Sequence, residues 1–232
     1  MEKFKLLEVV HPDILSLSNE EFMLVRKNGL GASDASVFLG LMTQWKKVND
    51  LIEEKCRDYM TPEEAAVGEL DSVRKGRDLE PTILKKAEEA MNRSILKPKE
   101  MYRIKEYPYL TISFDGVTEE NGQAIPVEAK YVTKYGEKYY NTNANEADLA
   151  NWDKAYSTEK KASICGIPAY YYAQVQQQIL GLGSSYGYLA ALHELNWKLK
   201  IYKIPRDEVL ISKIIIEGHS TWNTIKARKA GK

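Results

Sequence analysis

The chain has 232 residues, 44% of them hydrophobic, and its 33 Lys and Arg balance 33 Asp and Glu. One substantial core and one domain over residues 1–232 are expected from that length, and zero net charge excludes a uniformly basic coat for nucleic acid, though not a local basic groove. Cys56 and Cys165 are too few for an intrachain zinc ribbon or disulfide framework, and without a signal core or a run of about 18 apolar residues a soluble, cytoplasmic chain with no membrane contact is expected.

Ser18-Asn19-Glu20-Glu21 stands ahead of Phe22, Leu24 and Val25 and predicts a helix start with a capping box. Ala32 to Gly40 reads as a short helix entered through a glycine turn and ended by Gly40. Val48 to Tyr59 is a further helix, and Thr61-Pro62-Glu63-Glu64 opens another. Asp71 to Ala90 is long and helical in composition, with Pro81 marking a start or a kink. Helices thus dominate about residues 1–100, with a catalytic sheet and its helices expected over about 101–205.

Tyr109 to Phe114 is rich in β-formers and leads into Asp115-Gly116. In Ile125 to Val132, apolar Val127, Ala129 and Tyr131 alternate with Glu128 and Lys130. Asn121-Gly122 lies between the two runs and is a strong short-range hairpin signal. Thr133 to Asp153 is polar and rich in Tyr, Asn and Lys, a surface loop or partly helical insert. Tyr170 to Leu182 reads as a helix, Tyr186–Leu192 and Trp197–Ile204 as a second hairpin, and about 206–228 as a closing helix. Its apolar stripe is Ile211, Ile214, Ile215, Trp222 and Ile225. The basic end from Lys226 to Lys232 reads as a frayed, solvated terminus.

Three words along this order carry chemistry: Gly76-Arg77-Asp78-Leu79-Glu80, Phe114-Asp115-Gly116 and Glu128-Ala129-Lys130. They supply three carboxylates and a lysine. Hard oxygen ligands hold divalent cations, and a lysine can orient a water or stabilise charge beside them, the set that phosphodiester chemistry needs. The hairpin supplies the mechanism of assembly, because it sets Asp115 beside the strand of Glu128. Glu128 and Lys130 are two apart, so a strand presents both on one face. Two readings are open for Ser33, as the cap of a helix starting at Asp34 or as part of an anion pocket at a helix N-terminus with Arg26. Gln174 is equally open, as polar filler on a helix or as a neutral amide facing the carboxylates. His11, His193 and His219 do not cluster, and none is assigned to metal.

The ordered words resemble those of the phage-lambda-type exonucleases and the related YqaJ-type viral recombination nucleases, within the PD-(D/E)xK and RecB-like superfamily. Gly-x-x-x-Glu matches Gly76 to Glu80, the central acid matches Asp115-Gly116, and Glu-x-Lys matches Glu128 to Lys130. The Tyr-x-x-Gln-Val-Gln helix matches Tyr171 to Gln176, and an early Arg, six residues, Ser word matches Arg26 and Ser33. The Thr133 to Asp153 stretch is longer than a minimal member needs.

The resemblance implies an α/β fold, a mixed central β-sheet flanked by helices. It implies a magnesium-dependent nuclease on double-stranded DNA ends, working 5′ to 3′ and leaving 3′ tails for recombination. Asp115 and Glu128, with the Ala129 carbonyl, would hold one magnesium and Glu80 with Asp115 a second, about 4 Å apart, with manganese as a substitute. Lys130 would position or activate water, Gln174 would bind water or the scissile phosphate, and Arg26 with Ser33 would bind the DNA 5′-phosphate. A homotrimer round the duplex and a single-strand annealing recombinase as partner are also implied. The alternatives are a structure- or sequence-specific endonuclease on the same core and a catalytically inactive DNA-end-binding protein. The intact Glu80, Asp115, Glu128 and Lys130 argue against the latter.

Overall fold

Asn121 and Gly122, with φ of +51° and +75°, form the two-residue turn that joins β6 (Gly116–Glu120) to β7 (Gln123–Val132). Two successive positive φ values match the right-handed twist of the flanking strands, and Asn-Gly meets them at low steric cost. The turn fixes the register, pairing Gly116 with Val127 and Glu120 with Gln123. This computed structural model describes residues 2–42, 44–140 and 157–231. Of the polar stretch expected as an insert, residues 141–153 lie outside the described residues, and a short 3₁₀ turn, Glu137–Tyr139, precedes them.

β7 runs parallel to β8 (Tyr186–His193), which pairs antiparallel with β9 (Leu199–Pro205). A parallel pair needs a crossover. Here the described part of the crossover holds two helices, α6 (Thr158–Cys165) and α7 (Ala169–Leu182). With β3 (Ile95–Leu96) on the other edge, the sheet has the order β3-β6-β7-β8-β9.

Alternation along β7 and β8 divides their side chains between two layers. Ile125, Val127 and Ala129 cluster with Tyr188, Ala190 and Leu192 and with Ile83, Leu84 and Ala87 of α5 (Asp71–Met91). Leu189 and Ala191 belong to the larger core, with Tyr172, Ala173, Val175 and Ile179 of α7. The sheet therefore lies between α5 and α7, and the alternate residues Glu128 and Lys130 project toward α7. Pro81 does not start α5, which runs through it from Asp71. Proline lacks the N–H that would reach the Arg77 carbonyl, and packing of Ile83, Leu84 and Ala87 outweighs that loss.

A second sheet, β1-β4-β5-β2, makes the first hundred residues less helical than expected. Its strands are β1 (Leu7–His11), β2 (Leu30–Gly31), β4 (Met101–Ile104) and β5 (Leu110–Ile112). β1 finds its partner β4 some ninety residues away, and β2 is two residues long, so neither carries a local strand signal. α7 crosses this sheet at Gly181, where a Cβ would meet Ile112 Cδ1 at 2.3 Å.

Among the described residues the remaining α-helices are α1 (Asn19–Arg26), α2 (Ala35–Phe38), α3 (Val48–Cys56), α4 (Pro62–Gly68) and α8 (Glu208–Ala230). Capping boxes at Ser18 and Thr61 start α1 and α4 where the sequence places them. α8 buries Ile211, Ile214 and Ile225 of the expected stripe, with Ile215 and Trp222 packed at its margin. The basic end is helical as far as Ala230. Among the described residues no helix is long and apolar enough to cross a membrane.

Candidate active site

Continuing the hairpin register by one pair sets Asp115 opposite Glu128. Asp115 Oδ2 accepts the Ala129 N–H at 3.0 Å, which ties the carboxylate to β7 one residue before β6 begins. Glu128 is 1% exposed and anchors a dense polar cluster. Lys130, two residues on, forms an ion pair with its Oε1, and Gln174 of α7 donates to the same oxygen. Lys130 Nζ also lies 5.1 Å from the centre of the Tyr171 ring. The Glu-x-Lys word and the glutamine of the α7 word therefore meet, and Gln174 is not filler.

The electrostatics follow from burial. Asp115 is pushed well above the usual carboxylate range, first by desolvation and then by the Glu128 charge, with Glu80 adding to the push and Lys130 opposing it. Burial alone would lower Lys130, but the Glu128 and Asp115 charges outweigh it and keep the ammonium protonated. A buried Glu128 and a half-buried Asp115 thus lie beside one ammonium, and the ligand atoms that they offer are oxygens. Such a donor set suits a hard divalent cation.

Glu80 is placed differently. It belongs to α5, on the other side of the sheet from α7, and its Oε1 accepts from Lys97 Nζ. Its charge is felt at Asp115, while its side chain is engaged by Lys97. Among the described residues no three His, Cys, Asp or Glu side chains stand together as a closed ligand cage.

Gln178, one turn beyond Gln174, escaped the sequence reading. Its Nε2 donates to Glu128 Oε2 at 2.6 Å, and the side chain is 1% exposed. The four-residue spacing from Gln174 was the available signal, since residues i and i+4 share a helix face. Its neighbours serve the fold: Gln177 Nε2 donates to the carbonyls of Leu30 and Thr111, each at 3.0 Å, and Gln176 binds the Pro205 carbonyl and the Asp207 N–H.

Arg26 and Ser33 come together away from this cluster. Arg26, the last residue of α1, donates from Nη2 to Ser33 Oγ at 2.6 Å. Ser33 caps no helix; the turn Ala32–Asp34 is instead closed by Asp34 Oδ2 accepting the Gly31 N–H at 2.8 Å. Beneath them lies a buried pair that the sequence did not reveal. Lys55 Nζ, 2.8 Å from Asp34 Oδ2, also donates to the Arg26 carbonyl at 2.8 Å. One lysine thus fixes the backbone of Arg26 and the acid that shapes the Ser33 turn.

A model of the YqaJ-like viral recombinase domain matches residues 21–181, which include every word named above. The chain is 26% identical over 212 residues to the uncharacterized protein YqaJ of Bacillus subtilis (strain 168), covering 89% of this chain and 56% of that one. It therefore spans little more than half the length of that relative. Among solved structures it resembles an alkaline exonuclease, LHK-Exo, from Laribacter hongkongensis, with a TM-score of 0.58 at 14% identity over 90% of this chain and 94% of that one. The same exonuclease in complex with dAMP gives 0.59 over the same shares at 14% identity. A phage related exonuclease from Haemophilus somnus 129PT gives 0.53 at 14% identity over 85% of this chain and 93% of that one. At such identities the likeness shows the fold, that of the phage-type exonucleases with the PD-(D/E)xK core.

Proposed function

Because the chain belongs to the YqaJ-like viral recombinase domain family, we propose that it is a magnesium-dependent exonuclease of double-stranded DNA ends. It works from 5′ to 3′ and leaves 3′ single strands for phage-type recombination. The observation that carries this reading is the half-buried Asp115 beside the buried Glu128, with Lys130 and Gln174 both bound to Glu128 at one end of the hairpin.

Asp115, Glu128 and the Ala129 carbonyl would hold a first magnesium. The Ala129 N–H points to Asp115, and in extended backbone the carbonyl of the same residue points to the same side. Glu80, on leaving Lys97, would hold a second ion with Asp115, and manganese can take either place. Bound there, the ions supply Lewis-acid stabilisation of both the attacking and the leaving oxygen of an in-line phosphoryl displacement. The protein does the positioning. Lys130, already charged, donates to water or to a phosphate oxygen rather than taking a proton. Gln174 exchanges its bond to Glu128 for one to the same water or phosphate.

Arg26 and Ser33 would receive the terminal 5′-phosphate, the arginine by charge-assisted hydrogen bonds and the serine by its hydroxyl. That LHK-Exo, a neighbour of this fold, binds dAMP supports a site for a nucleoside monophosphate. A homotrimer closed round the duplex would keep the enzyme on its substrate without a basic surface, which suits a chain of zero net charge. A single-strand annealing recombinase would take up the 3′ strand.

The test is direct. Linear 5′-phosphorylated duplex and closed circular DNA are incubated with the protein and magnesium, with label at either end of one strand. The linear duplex should shorten from its 5′ ends while the circle survives. Cleavage of the circle would replace the exonuclease with an endonuclease, and cleavage in excess chelator would remove the metal site.

A further inference from the structure

Trp45, in the turn between α2 and α3, is 55% exposed although aromatic residues connect it to the catalytic cluster. Its ring lies 5.5 Å from that of Tyr170 at an interplanar angle of 88°. Tyr170 in turn lies 4.5 Å from Tyr171, and Tyr171 carries the Lys130 ammonium 5.1 Å from its ring centre. Lys130 pairs with Glu128. A line of rings thus runs from solvent to the residue that would orient the reacting water.

Two rings at nearly a right angle cannot lie face to face, so at least one face of the Trp45 indole is clear of Tyr170. Edge contact holds the indole in place and leaves it an open platform. The exposed Lys47 follows two residues later in the same connection, where it adds a positive charge to the segment. An aromatic face next to positive charge is the arrangement on which single-stranded nucleic acid stacks its bases while its phosphates are neutralised.

We propose that Trp45, braced by Tyr170, is a nucleobase-stacking subsite for an unpaired nucleotide of the strand that leads into the Asp115–Glu128 site. This rests on the reading of that site as a DNA nuclease. The occupant is a base, of any of the four kinds, because stacking uses a π-face that every base presents. The subsite holds the strand in place as its terminal phosphodiester enters, and it recognises unpaired bases rather than the duplex.

Binding in excess chelator, where no cleavage occurs, tests this with fluorescence anisotropy. The probes are 5′-phosphorylated DNA ends with the first three nucleotides unpaired, either intact or with one of the three bases removed. For the wild-type protein, removal of the stacked base should weaken binding roughly tenfold, within the range that a single stacked base gives. Trp45→Ala should weaken binding to intact DNA by a similar factor and should be indifferent to the missing base. Trp45→Phe, which keeps a ring, should bind as the wild type does. Equal sensitivity to base removal in wild type and Trp45→Ala would overturn the subsite, as would wild-type affinity in Trp45→Ala. In both cases the wild-type protein still binds and, with magnesium, still degrades DNA, so the nuclease reading stands. A wild-type protein that binds no DNA end overturns both. Because Trp45 is exposed, thermal unfolding of the variants should match the wild type.

Discussion

Gln178 holds the Glu128 oxygen that Lys130 and Gln174 leave free, at 2.6 Å and from one helical turn farther along α7. The three donors differ in reach. Gln174 and Lys130 are partly exposed and can transfer to substrate, whereas Gln178 is buried and cannot. Its contribution must pass through Glu128. Gln178→Met keeps the volume and removes the donor, so it should weaken magnesium binding by roughly 10–100-fold, the usual effect of losing a group that orients a ligand. Gln174→Ala should instead lower turnover with little change in metal affinity. Calorimetric titration of both variants separates the two roles, and unchanged magnesium affinity in Gln178→Met would remove the positioning role.

The Lys55 and Asp34 pair beneath Arg26 makes a prediction about stability. Lys55 is 1% exposed, and Lys55→Met would leave the Asp34 carboxylate buried without its partner. Breaking a buried pair in this way costs about 3–5 kcal/mol, which urea unfolding at neutral pH would measure. Burial pushes Asp34 up, but the Lys55, Arg26 and Lys46 charges outweigh it and hold it below the usual aspartate range. A carboxylate lowered on folding stabilises the protein above its unfolded pKa and loses that contribution as pH falls through the folded value. The difference between wild type and Lys55→Met should therefore narrow in acid. A difference that widens as the pH falls would contradict this account.

Much of the site could be read from the sequence because its signals are local. Asn121-Gly122 fixes a turn, the turn fixes a register, and the register places Asp115 beside Glu128. Lys130 follows from strand alternation, and Gln174 from a word on a single helix. The parts that escaped depend on distant pairing. β1 is a strand only because β4 lies beside it, and Lys55 matters only because α3 brings it under Arg26. Glu80 marks the limit of motif reading. Its position in the word was legible, but its bond to Lys97 was not, since that depends on how β3 and the residues after it pass along α5. Ser33 shows the converse: sequence left two roles open, and the structure removes the cap, since the turn starts at Gly31 and its N–H is taken by Asp34.

Asp115→Asn isolates charge from structure. The asparagine oxygen can still accept the Ala129 N–H, while the like-charge contact with Glu128 disappears. Cleavage should be abolished and the melting temperature should rise, because a partly desolvated carboxylate held against a like charge is strained electrostatically. Lys130→Ala should also lose turnover but retain magnesium, since an ammonium is not a ligand. Loss of magnesium affinity in Lys130→Ala as large as that in Asp115→Asn would contradict its assignment.

Arg26 provides the test of end recognition. Its guanidinium already meets Ser33 Oγ at 2.6 Å, and Lys55 fixes its backbone from below, so the proposed phosphate site is organised before DNA arrives. Preorganisation of this kind means that the phosphate has only to displace solvent, and a charge-assisted contact then contributes roughly 1.5–3 kcal/mol. Arg26→Ala should accordingly slow digestion of 5′-phosphorylated ends by about ten- to a hundredfold while leaving 5′-hydroxyl ends, which never made the contact, nearly unchanged. Arg26→Lys should recover only part of the loss, because a point charge cannot hold Ser33 and phosphate together as a planar fork does. The substrate series must be compared at one salt concentration, since backbone contacts elsewhere along the duplex weaken together as salt rises. Equal losses on both kinds of end would move Arg26 from end recognition to general DNA binding. Light scattering on the same samples would then decide the ring: a trimer mass supports enclosure of the duplex, and a monomer mass leaves a distributive nuclease whose hold on the strand depends on the pocket itself.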